Sequence, residues 1–408
     1  MRTKGWVLIL LASSMQAQEQ HAWEFPNFSD RLQIVVTNPH ECEFEGVAVL
    51  SIPELKKIDP AFPGTLLLAA EDATPDRQTE TQIDAQRNEF AMDVHLYGHE
   101  SKTYSVYYSS TLKDQLSLPA HVHASHNYGY NHATASIESE LIGYRTYGGA
   151  FLDVQAHAKG ERGLFNAMLG YSSITHPPAE GQDVIHLGDT LGLGGIFLRS
   201  GNDIYRPPVS TPDYTHRLAK GEEPQYQVIA EGPIRAIIEE TLPVWSIGDD
   251  RVSLRVEYEM DAGQEVVHCH WWITPIKIAR QYEVGAGIRD LDADANLEAD
   301  HLVTTSGTQP DSNGRIALGI RWNDEAQRSG RLKTQEADNE AIVFRRELTA
   351  DRPAEGVYTV AAGWQGSGWN EPAKHVADVL RSQSESVSVN TVRHESNPNP
   401  KVLDKEPK

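Results

Sequence analysis

Short alternations of apolar and polar residues, broken every few positions by proline or glycine, run through most of this chain. Leu32, Ile34 and Val36 alternate with polar neighbours, Val47 and Val49 follow, and Pro39, Pro53, Pro60 and Pro63 read as breaks around the Leu66–Leu68 run. Phe90, Met92, Val94 and Leu96 give another alternation, and Thr103–Ser109 carries three tyrosines. A period of two sends successive side chains to opposite faces of a strand, so residues 22–115 predict a small antiparallel sandwich. The same period recurs over 137–146, 151–155, 226–230, 235–242, 252–259, 265–273 and 357–362. One helix stands out at Pro372–Ser382, with proline at its start and Val376, Val379 and Leu380 on one face. The chain therefore reads as all-β: a large antiparallel β-sandwich or supersandwich over 116–382 behind the smaller N-terminal sandwich. Residues 383–408, rich in Ser, Asn, Pro and Lys, predict a disordered tail.

Arg2 and Lys4 precede the apolar run Trp6–Ala12, and small and polar residues follow to Ala17. This is the layout of a secretory signal peptide over 1–17, which places the mature protein in the periplasm or outside the cell. No later stretch is apolar for long enough to span a bilayer, so stable membrane insertion is not expected. The formal net charge of −22 argues against nucleic acid, whose phosphates require a basic surface. A local arginine cluster can still reverse the field inside a cleft and admit an acidic ligand. Cys42 and Cys269 suit either one disulfide in an oxidising space or two buried thiols.

Five stretches concentrate chemistry. The run Ile137–Gly149 holds Glu138, Glu140, Tyr144 and Arg145; read as one strand, it puts Glu138 and Tyr144 on one face and Arg145 on the other. Tyr214, His216 and Arg217 lie in a connection opened by Arg206-Pro-Pro, where they can supply a base, an acid and a carboxylate clamp. His176, Asp183 and His186 are interleaved with glycine and proline in a loop suited to sugar hydroxyls, without a zinc or calcium spacing. His268-Cys-His270-Trp-Trp272, as a strand, places His268, His270 and Trp272 on one face with Cys269 and Trp271 behind. That face is a candidate metal pair, a sugar-lining surface, or a set of satisfied core histidines. Arg235 stands at the mouth of an apolar strand, either in a buried ion pair or as an anion clamp. Asp290, Asp292, Asp294, Asn296 and Glu298 read as an acidic surface loop, because the glycine of a calcium-binding turn is missing. Walker, dinucleotide, HExxH and GxSxG patterns are absent, and no cofactor is required, although a divalent metal is compatible with the histidines.

Several of these pieces occur in one order: Asn38-Pro39, Thr81-Gln-Ile-Asp84, the Glu138–Tyr147 run, Gly181-x-Asp183, Gly188-Asp-Thr-Leu-Gly192 with Gly194-Gly195, and Gly232-Pro-Ile-Arg235. Together, across roughly Leu32–Leu380, they resemble the bacterial domain of unknown function 4861 family. The resemblance implies an exported protein of polysaccharide utilisation and an oligosaccharide dehydratase-like activity on uronic-acid sugars, a carbon–oxygen lyase reaction. It does not carry over a catalytic set, so the roles rest on chemistry.

β-Elimination needs a base for the C5 proton, an acid for the departing C4 hydroxide and cations on the carboxylate. His216 and Tyr214 are expected to move protons, with Tyr144 as the alternative phenol, and Arg145 and Arg235 to neutralise the carboxylate of an anionic oligosaccharide. Glu138, His176, Asp183, His186 and Arg217 are expected to bind substrate, and His268 and His270 are the metal candidates. Two other readings stand beside this one. One is a non-catalytic carbohydrate-binding protein with Trp364 and Trp369 as platforms; the other is a glycoside hydrolase using Glu138 and Asp183.

Overall fold

The computed structural model describes residues 23–41, 43–64, 66–72, 78–110, 119–127, 134–146, 148–165, 181–209, 223–291, 297–299, 301–309, 312–334, 337–382 and 387–397. Antiparallel strands dominate, as the alternation predicts. In the N-terminal sandwich, a five-stranded sheet (Ser388–Ser396, Asp30–Thr37, Ser101–Ser109, Leu66–Glu71, Gln78–Thr79, in spatial order) faces a three-stranded one (Phe44–Ser51, Glu89–Leu96, Thr81–Asp84). Leu32, Ile34, Phe90, Met92, Val94 and Tyr108 fill the space between them.

Two expectations are corrected here. Pro53 does not merely break the chain: it sits in the first turn of a short helix, Ile52–Ile58, where the missing N–H costs nothing. The tail is not wholly disordered either. Ser388–Ser396 pairs along the whole of Asp30–Thr37, and Val387 and Val389 pack on the sandwich core. Two apolar side chains and a free sheet edge outweigh the polar composition of that segment.

The main body is layered on an eight-stranded sheet. Its strands, in spatial order, are Gln225–Glu231, Arg235–Ile247, Asp250–Asp261, Val266–Lys277, Ala354–Trp364, Arg315–Trp322, Leu302–Thr308 and Leu297–Ala299. Two five-stranded sheets cover its inner face. One runs Gly181–Asp183, Asp153–His157, Ile142–Thr146, Thr134–Ser139, Val122–Asn127; the other runs Asp203–Tyr205, Leu193–Ser200, Tyr282–Arg289, Asp338–Leu348, Ala326–Lys333. One continuous core joins all three sheets through residues such as Tyr144, Val154, Ile196, Val284, Ile238, Trp271 and Tyr358.

On the outer face, the helix Pro372–Ser382 buries Val376, Ala377 and Leu380 against Leu302, Ala317 and Ala361. Gly319 permits this approach, since a Cβ there would lie 2.6 Å from both Leu380 Cδ1 and Val376 Cγ1. No helix among the described residues is long and apolar enough to cross a membrane.

Candidate functional site

The Ile137–Gly149 run is a hairpin rather than one strand: Thr134–Ser139 turns at Glu140-Leu141 into Ile142–Thr146. The turn reverses the facing of its second half. Tyr144 pairs with Ile137 and points into the core, where its hydroxyl donates to Glu265 O at 2.6 Å and accepts from Ala362 N at 3.2 Å. Full burial, with Glu265 nearby, pushes that phenol far up, so Tyr144 is a core residue and not a base.

The opposite face of the same sheet carries charge in its interior. Arg145 lies beside Asp153 on the neighbouring strand, bonds to its carboxylate, and bonds also to Asp183 Oδ2 at 3.1 Å. A transverse row runs Glu138, Gly143, Gln155, Asp183 across four strands. Glu138 is fully buried and accepts from Phe165 N at 2.6 Å, and the Phe165 ring stacks on His157 with centroids 3.8 Å apart.

One guanidinium neutralises one charge, and here two carboxylates share it. Burial first, then the charge of Asp153, pushes the Asp183 carboxyl up to about 7 against the opposing pull of Arg145. Asp183 retains 22% exposure, whereas Asp153 retains 2%. The site thus offers a partly open acid that is protonated in part at neutral pH. Of the residues predicted from sequence, Arg145 and Asp183 meet here and Glu138 shares their sheet face at three strand steps from Asp183; Asp153 is the member that sequence reasoning missed. His186 is exposed, its charge reaches Asp153, and its carbonyl accepts from Arg289. His176, Tyr214, His216 and Arg217 lie outside the described residues, as do Cys42 and residues 1–17.

Arg235 is elsewhere, at the junction between the N-terminal sandwich and the body. It chelates Asp261 through Nε at 2.7 Å and Nη2 at 2.9 Å, with Glu259 at 3.3 Å and Glu89 at 3.6 Å. Gln82 secures the same point: its Oε1 accepts from Ile234 N and Arg235 N, and its Nε2 donates to Arg235 O at 2.9 Å. Arg145 and Arg235 therefore do not converge on one carboxylate. Two sheet layers lie between them, and each already holds an aspartate.

The outer face of the eight-stranded sheet bears a cleft of about 670 Å³. His268, His270 and Trp272 project into it, with Cys269 and Trp271 buried behind. His268 Nδ1 lies 3.1 Å from Thr359 Oγ1, and His270 packs on Trp272 with ring centroids 3.6 Å apart. Burial, the larger influence, lowers the pKa of His270. Arg87 reaches over from the N-terminal sandwich to Glu257 at 2.6 Å and to Glu259. Burial opposes the charge of Glu259, but Arg235 and Arg87 outweigh it and hold that carboxyl below its ordinary range. Among the described residues, the grouping of three ligand-type side chains with donor atoms within 4.8 Å of one another is Asp30, Asp59 and His394, which excludes His268 and His270.

Other sequence candidates resolve into local structure. Arg206 pairs with Asp189, Asp290 is buried beside Arg331 at 3.2 Å rather than on a surface loop, and Trp364 donates to Ser312 O at 2.6 Å. Cys269 carries a free, buried thiol.

A family model described as a domain of unknown function, DUF4861, matches residues 67–389. No curated protein matches. Among solved structures, an alpha-mannosidase from Enterococcus faecalis V583 is similar at 8% identity and a TM-score of 0.50, over 90% of this chain and 46% of that one. A protein in the glycosyl hydrolase family 38 from Enterococcus faecalis is similar at 8% identity and a TM-score of 0.49, over 91% of this chain and 48% of that one. The chain spans less than half the length of either, and the likeness is one of fold. The expectation of a carbon–oxygen lyase is corrected at this point: the similar structure with a TM-score of 0.50 is titled an alpha-mannosidase.

Proposed function

The chain belongs to the DUF4861 family, and from that premise we propose that it is a carbohydrate-active enzyme of the glycoside hydrolase kind, with Asp183 as its proton donor. The observation that carries this reading is a partly open carboxyl pushed up to about 7 on a buried polar sheet face. Hydrolysis of a glycosidic bond needs an acid that still holds its proton at working pH, and a second carboxylate that stays ionised. The fold shared with an alpha-mannosidase supports the substrate class.

Glu138 is the partner carboxylate. It shares the transverse row with Asp183 at three strand steps, about 14 Å between backbones. Gly143 and Gln155 stand between the two in that row; a pair that leaves room for a water, at roughly 6.5–9.5 Å between carboxyl groups, gives inversion at the anomeric carbon. Arg145 is a positioning residue that holds Asp183 and Asp153 in place.

The test is release of reducing ends from a panel of neutral and acidic oligosaccharides, with the product anomer followed by NMR. Asp183→Asn is expected to lose about a hundredfold or more in rate while keeping its fold, and wild-type activity should fall as pH rises past about 7. An unchanged rate in Asp183→Asn would remove the assignment. Because Glu138 has no exposed surface, a second reading is favoured by one observation: the protein binds oligosaccharide without cleaving it. Saturable binding with no new reducing ends would establish that reading instead.

A further inference from the structure

Arg321 lies on the floor of the outer cleft, on the strand Arg315–Trp322. Across the ladder it faces Thr359, the residue whose hydroxyl meets His268 Nδ1 at 3.1 Å. The carboxylates that line the cleft have partners of their own: Glu257 and Glu259 pair with Arg87, Glu89 lies 3.6 Å from Arg235, and Asp324 Oδ1 lies 3.4 Å from His301 Nε2. Among the described residues Arg321 has no carboxylate within ion-pair distance and donates no side-chain hydrogen bond. Burial of this guanidinium lowers its pKa, with no anion to offset the loss of water.

A half-buried guanidinium without a protein anion has its donors available to a ligand that displaces water from the cleft. The planar fork suits a two-oxygen anion. Thr359, His268, His301 and Asn323 line the same cleft and offer further hydrogen-bonding groups. A volume of about 670 Å³ lies within the roughly 300–1,000 Å³ of small-ligand sites.

We propose that this cleft is a second ligand site, in which Arg321 holds the oxyanion of an acidic sugar while the His268–Thr359 pair receives its ring. The sugar part of the ligand rests on the reading given above. The anion requirement does not, because it follows from Arg321 and its neighbours. The site is separated from Asp183 by the thickness of the eight-stranded sheet and the sheet beneath it, so it anchors a chain and takes no part in proton transfer.

Isothermal titration of the full-length protein separates the two. The probes are a uronate-bearing oligosaccharide, a sulfated one, a neutral one of equal length, and inorganic sulfate. Binding of at least one acidic sugar is expected about tenfold or more tighter than the neutral sugar and than sulfate alone. Arg321→Gln should lose that preference, and Arg321→Lys should retain part of it. A melting curve establishes that each variant is folded. Equal binding of acidic and neutral sugars, sulfate binding as well as any sugar, or wild-type affinity in folded Arg321→Gln would each overturn the proposal. Arg321-dependent binding without hydrolysis of any probe would leave it standing and remove the hydrolase reading.

Discussion

Glu240 is a carboxyl group in the middle of the core with no cation beside it among the described residues. It accepts from Thr146 Oγ1 at 2.7 Å, Ala150 N at 3.2 Å and Tyr258 OH at 3.4 Å, and so ties the turn after the hairpin to the large sheet. Burial pushes it from 4.5 up to about 7 against these three hydrogen bonds. Below pH 4.5 both the folded and unfolded chains hold this proton; between 4.5 and about 7 the folded chain holds it more firmly. Stability therefore falls as pH rises through that window, by about 3 kcal/mol for this group. Urea melts at pH 5 and pH 8 should show a smaller loss in Glu240→Gln, which mimics the protonated acid; an equal loss would refute this account. Glu240→Ala should be destabilised at both values by about 1–3 kcal/mol, since it strands buried donors. Neither this residue nor Asp153 was singled out from the sequence. Each sits in an apolar strand, and a lone charge flanked by Phe151, Leu152 and Val154 is itself a request for a partner. Alternation did give the facing of His268, His270 and Trp272, because that strand continues without a turn.

Between elements, the Gln82–Arg235 contact explains two of the motifs that carried the family resemblance. Thr81–Asp84 and Gly232–Arg235 form a joint, in which one amide side chain satisfies three backbone groups of the other segment. Gln82→Ala should leave two buried N–H groups and one carbonyl without partners, at a cost of about 2–4 kcal/mol. The expected signature is a lower melting temperature and earlier protease cutting between the N-terminal sandwich and the body; cutting at the wild-type rate would count against it. The hairpin at Glu140-Leu141 was hidden for a physical reason. A two-residue turn lacking Gly, Asn or Pro leaves the period of two unbroken, so pattern alone runs the strands together and assigns Tyr144 to the wrong neighbours.

At the scale of the whole molecule, the sheets, the helix Pro372–Ser382 and the two-sandwich division were legible because burial on one face imposes a period that composition cannot disguise. The placing of one polar layer on each side of the body was not, since facing across the large sheet depends on long-range pairing. The C-terminal strand was obscured by its polar residues. It contributes Glu395 to the buried Arg31 at 2.6 Å and completes the edge of the N-terminal five-stranded sheet. A chain ending at Ser382 should expose that edge and the Arg31 guanidinium, and size-exclusion chromatography should then show self-association; a monomeric, equally stable truncation would contradict this. The same strand also sets an order of events on the ribosome. The N-terminal sandwich lacks its outermost strand until Ser388–Ser396 has followed the whole main body off the ribosome, so this unit is begun before the body and completed after it. During all of that time its open edge is the surface that nascent neighbours and chaperones meet.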